Sequence, residues 1–125
     1  MINLPKVIET YIRAYNNFDV TGMLDCLAND VVFQNYTGDD ITAQANSKDE
    51  FENMAKMGAS AFEKRKQTPL HAITVGNTTH IEIEYFATVA TDLPNGWKAG
   101  QELSFKGTSA YAIEENKIIK LIDAA

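Results

Sequence analysis

Asp123 is the carboxylate whose setting is best suited to chemistry. It shares strand parity with Ile119 and Leu121, while Lys120 falls on the opposite face, and most other acidic residues lie in loops, turns or polar helix faces. A carboxylate on an apolar wall is desolvated, its pKa rises, and it becomes an acid or base useful near neutral pH. The alternative is a solvated or helix-capping Asp123 near the end of the strand, where chains fray. His71, on one face with Ile73 and Val75, is a second acid or base candidate, or else a hydrogen-bonded core histidine. Tyr11 and Tyr15 stand one helical turn apart, so both can face the same neighbour. Asn35 and Ser109 are candidate partners for their hydroxyls, in a network that ties helix to sheet, aims at a ligand oxygen, or does both. Phe33, Met54 and Phe86 are candidate walls of an apolar pocket. Trp97, after Asn95-Gly96, is a flap over its mouth or a contact with a second copy.

Other chemistries find little support. His71 and His80 fall on opposite strand faces, and no carboxylate spacing completes a metal site. Cys26 is the single cysteine, which excludes an internal disulfide and a thiolate cluster. Lying beside Leu24 and Leu27, it reads as core filler. The 7 glycines form no phosphate-cradling motif, so neither nucleotide nor other cofactor is expected. A formal charge of −6 repels phosphate backbones, and no basic face interleaved with aromatics offsets it, which argues against nucleic acid. Lys64-Arg65-Lys66 reads as a solvated run at a helix C-terminus. No apolar run approaches the roughly 20 residues that cross a bilayer. Pro5 and Glu9 interrupt what a signal peptide would keep apolar, so a cytoplasmic location is expected and the Asn-X-Thr sequons carry no weight.

The elements that must position these residues follow from periodicity. The chain has 125 residues, 45% hydrophobic and 22% charged, enough for one domain with one core, taken as residues 1–125. Leu4, Val7, Ile8, Tyr11, Ile12, Tyr15 and Phe18 mark one stripe of a first helix. Asp19 or Thr21 caps a short second helix through Met23, Leu24 and Leu27, and Val31–Asn35 is the first strand. Tyr36 to Asn46 reads as a polar loop. Ser47-Lys48-Asp49-Glu50 is a capping box opening a third helix to about Lys66. From Thr68 the period is two. A three-residue loop, Gly76-Asn77-Thr78, would pair Ile73 with Ile81 and His71 with Ile83, keeping apolar residues together. Strands then run to about Thr91, from Leu103 to Ile113, and from Lys117 to Asp123. The fold class is α+β, with helices on one face of a mostly antiparallel meander.

The stretches YIRAYNNFDVTGMLDCLANDVVFQN and FKGTSAYAIEENKIIKL, joined through the loop and capped helix, resemble the nuclear transport factor 2-like superfamily, in particular its SnoaL-like and ketosteroid-isomerase-like members. The resemblance implies a strongly curved sheet wrapped around the N-terminal helix, a cone-shaped α+β barrel with an apolar pocket. It also implies a homodimer through the outer sheet face, for which Ile118 and Ile122 are candidates. The isomerase pattern puts its oxyanion-donor tyrosine on Tyr11, its base on Asn35 and its second oxyanion acid near Ser109. Only the tyrosine is retained. An amide does not titrate near neutral pH and cannot take the substrate proton. SnoaL-like cyclases put a base on the last strand, in the region of Asp123. The expected function is binding of a small hydrophobic, oxygen-bearing molecule, with cofactor-independent proton transfer by Asp123 or His71, or a non-catalytic module on the same fold.

Overall fold

The computed structural model describes residues 2–125. Its order is α1 (Lys6–Asn16), α2 (Val20–Asp25), β1 (Leu27–Thr37), β2 (Asp40–Ala45), α3 (Lys48–Ala61), β3 (Phe62–Val75), β4 (Thr78–Val89), β5 (Glu102–Glu114) and β6 (Lys117–Ala124). The strands form one sheet in the order β2-β1-β6-β5-β4-β3. All neighbours are antiparallel except β1 and β6. The sheet curves strongly but does not close, leaving β2 and β3 as edges. The helices cover its concave face, as the α+β reading requires.

Local chemistry sets the boundaries. Asp19 Oδ1 accepts from the Gly22 amide at 3.0 Å and starts α2. Ser47 Oγ accepts from the Glu50 amide at 3.2 Å, while Glu50 reaches back to the Asn46 amide at 2.8 Å, so α3 begins in a capping box shifted by one residue. Glu115 and Asn116 both take positive φ, 51° and 63°, in the two-residue turn between β5 and β6. The core joins the α1 stripe (Ile8, Tyr11, Ile12) to Leu27, Ile81, Tyr111, Ile118 and Leu121 from the sheet. Each fully buried Ile or Leu there contributes roughly 2 kcal/mol. Cys26 is buried among them, as expected of filler.

Four expectations about the elements are corrected. The Tyr36–Asn46 segment is mostly a hairpin, with Thr37 paired to Asp40. The third helix stops at Ala61, so Lys64-Arg65-Lys66 lies on β3 and Arg65 is buried rather than solvated. The β3–β4 loop has two residues, since Val75 pairs with Thr78 and Ile73 with His80. Gly76 leads it with a φ of 62°, a conformation open to glycine. Ile73 and Val75 therefore stand exposed on the convex face while Ile81 and Ile83 are buried on the concave one. Finally, Ile118 is fully buried in the core, not on the outer face. The register slips between Ala112 and Ile113, whose partners are Lys120 and Ile118. The extra residue, Ile119, reverses the parity of what precedes it. Ile122, beyond the slip, stays on the convex side.

Candidate ligand cavity and its buried carboxylate

Between α1, α3 and the concave sheet lies a cavity of about 640 Å³, within the ordinary range for small-molecule sites. Its floor is built by register. Ser109 on β5 pairs with Asp123 on β6, and Asp123 pairs with Asn35 on β1, so the three lie in one row across adjacent strands. Tyr11 hangs from α1 into the same space, its ring edge-on to Tyr111 at 5.9 Å. The isomerase pattern's base position and second-acid position thus flank Asp123, one strand to either side.

Asp123 is half-buried, and what remains accessible of it lines the cavity. Desolvation raises its pKa from the ordinary 3.8 to about 6, and the hydrogen bond from Ser109 Oγ to its Oδ1, 2.6 Å long, limits the rise. At neutral pH it is an ionised base, stronger than a solvated carboxylate. The tyrosines around it are held neutral. Burial pushes Tyr11, Tyr15 and Tyr111 upward, with the Asp123 charge adding to the effect on each. Tyr15 and Tyr85 share a hydrogen bond of 2.9 Å between hydroxyls.

The remaining candidates divide. Tyr15, Phe33, Asn35, Met54, Trp97 and Ser109 all line the cavity. Phe33 stacks edge-on with Phe51 at 5.3 Å, and Trp97 packs on Phe62 at 6.4 Å. The Asn35 amide is engaged by Thr42 Oγ1 at 2.9 Å rather than by Tyr11. His71 is not part of the site. It is exposed on the convex face, with Glu82 as its strand partner. The two-residue loop sets His71, Ile73 and Val75 outward, and a bulge between Pro69 and His71 reverses the parity so that Arg65, Gln67 and Pro69 face inward. Phe86 likewise faces out, 40% exposed.

Residues missed in the sequence include Tyr85, Phe105, Arg65 and Gln67, all in the cavity wall. A signal for the last two existed. A strand running to about Thr91 needs an antiparallel partner of equal length, which reaches back to residue 62 rather than 68. Among the described residues no cluster of His, Cys, Asp and Glu is arranged to hold a metal ion.

The family model of the SnoaL-like domain matches residues 8–121. No curated protein matches this chain. Solved structures share the fold at low identity. A provisionally named polyketide cyclase from Silicibacter sp. is 19% identical with a TM-score of 0.80, covering 97% of this chain and 90% of its own. A second provisionally named polyketide cyclase, from Xanthomonas campestris, is 15% identical with a TM-score of 0.80, covering 95% and 87%. A Catenulispora acidiphila protein with a ketosteroid isomerase-like fold, solved with trimethylamine, is 13% identical with a TM-score of 0.80, covering 97% and 85%.

Proposed function

The chain belongs to the SnoaL-like domain family, and from that premise we propose that it binds a small, largely apolar, oxygen-bearing molecule and transfers a proton next to the ligand's carbonyl. The observation that carries this is Asp123: a desolvated carboxylate at the floor of the cavity, held by Ser109 at 2.6 Å. In this reading the carboxylate removes a proton from the carbon beside the carbonyl, and the C–H electron pair moves onto the carbonyl oxygen. Tyr11 is 3% exposed and lines the cavity. It donates to the oxyanion as charge develops there. Returning the proton to another carbon is isomerisation, and attack by the carbanion on a second carbonyl of the same molecule is cyclisation. Both balance without a cofactor. His71, outside the cavity, takes no part.

The test is exchange of ketone α-protons in deuterated buffer, followed by NMR with a bicyclic ketone such as 2-tetralone. Asp123→Asn is expected to slow exchange by about 10²–10⁴-fold. The wild-type rate should rise with pH and level off above about 6, where the base is ionised. Exchange undiminished in Asp123→Asn would remove Asp123 as the base. A second reading, a non-catalytic binder on the same cavity, is favoured by the Asn35 amide being committed to Thr42. Saturable binding of the ketone without exchange would select it. We further propose that two copies associate through the convex sheet face, where Ile73 and Val75 are 64% and 66% exposed.

A further inference from the structure

Arg65 stands in the cavity wall and is 6% exposed. A guanidinium does not escape burial by losing its proton, so it needs partners. Some are supplied by α1. Nε donates to the Tyr15 carbonyl at 3.0 Å, and the cation lies 3.7 Å from the centre of the Tyr15 ring and 4.7 Å from that of Phe18. Phe18 reaches this position with a φ of 57°, a left-handed conformation that strains a bulky side chain and that proteins keep where the geometry matters. The β3 rail is fastened as well: Asn16 Oδ1 accepts from the Gln67 backbone N–H at 2.8 Å and its Nδ2 donates to the Gln67 backbone carbonyl at 3.1 Å.

These contacts fix the guanidinium in place without neutralising it. Among the described residues it forms no ion pair, and Nη2 has no hydrogen-bond partner. Two residues along the same strand face, Gln67 is 7% exposed, and its Oε1 also has no partner. The cavity therefore holds an unneutralised cation and an unused acceptor side by side. Gly58 on α3 lies over the guanidinium, where a Cβ would stand 3.7 Å from Nη1, in ordinary contact, and a longer side chain would cover it.

We propose that Arg65, with Gln67 beside it, is the subsite that receives a carboxylate on the ligand. The ligand is then an apolar carbon skeleton with an acid group at one end and the reacting carbon at the other. This rests on reading the cavity as a ligand site, but not on Asp123 being a base. A carboxylate accepts two parallel N–H bonds from a guanidinium, a match that neither lysine nor a neutral side chain reproduces. Gln67 Oε1 accepts from a hydroxyl near the acid.

The experiment is titration calorimetry at about pH 7.5 with 2-naphthoate and its neutral counterpart 2-naphthamide, where the wild type is expected to favour the acid by about tenfold or more. Arg65→Gln should abolish the preference. Gly58→Leu keeps the charge and improves the helix, but fills the space over Nη1, and should lower the acid's affinity by about tenfold with unchanged circular dichroism. If Arg65→Gln does not fold, Gly58→Leu decides. Equal affinity for acid and amide in the wild type, or a preference surviving in every folded variant, would overturn the subsite. Acid preference without α-proton exchange upholds the subsite and overturns the chemistry, and exchange without preference does the reverse. Failure of both probes to bind at millimolar concentration overturns both.

Discussion

At the residue scale, one titration links the chemistry to stability. Asp123 loses its proton near 3.8 when unfolded and near 6 when folded. Between those values the folded chain holds more protons, so stability falls as pH rises. The contribution is complete below 3.8 and lost above about 6. At about 1.4 kcal/mol per pH unit, this amounts to a ceiling of roughly 3 kcal/mol. Asp123→Asn does not titrate. It is expected to be more stable than the wild type by roughly 1–3 kcal/mol at about pH 7.5, with the difference closing near pH 4, as read from urea unfolding. A gap that does not depend on pH would mean the carboxylate is solvated. Asp123 and Tyr11 were recognisable as cavity-facing from strand parity and helical spacing, and Ser109 from the resemblance to the isomerase pattern. Arg65 was not, because a Lys-Arg-Lys run reads alike at a helix end and on a strand.

At the level of elements, two bulges decide which side chains enter the cavity. With His71 set outward by the β3–β4 turn, the slip at Leu70 turns Arg65 and Gln67 in, and the slip at Ile119 buries Ile118 while leaving Asp123 on the cavity floor. The pairing of β5 with β6 depends on a close approach. A Cβ on Gly107 would sit 2.8 Å from the Ala124 carbonyl oxygen, a backbone atom that cannot swing aside. Gly107→Ala should therefore force the strands apart next to Asp123, costing about 1–3 kcal/mol and roughly 5 °C or more in Tm. α-Proton exchange should slow along with it. An unchanged Tm would show that the strand ends adjust freely.

For the molecule as a whole, the curved sheet makes two surfaces of opposite use. The concave one is lined by Tyr11, Tyr15, Tyr85 and Asp123 around the cavity. The convex one carries Ile73, Val75 and Phe86 in the open, against the usual tendency of such residues to be covered. A dimer through that face is expected at micromolar concentration by light scattering, and Ile73→Glu should shift it toward monomer. A wild-type mass of one chain would refute this. No helix of the described residues is long and apolar enough to cross a membrane.

The amino-acid sequence alone determined the helix-rich first half, the strand-rich second half and the capping box of α3, because each is written in neighbours a few residues apart, and the order of these pieces along the chain carried the family. It also placed Asp123 on the strand face that proves to line the cavity, since a carboxylate in phase with Leu121 is legible along a single strand. Tertiary structure decided which faces met. A bulge shifts parity by one residue and leaves no mark in periodicity, and the partner strand that reveals it lies far away in the chain. His71 reaches the surface because of where β3 pairs with β4, and Arg65 reaches the cavity because β3 begins at Phe62, where the local pattern reads as the end of a helix.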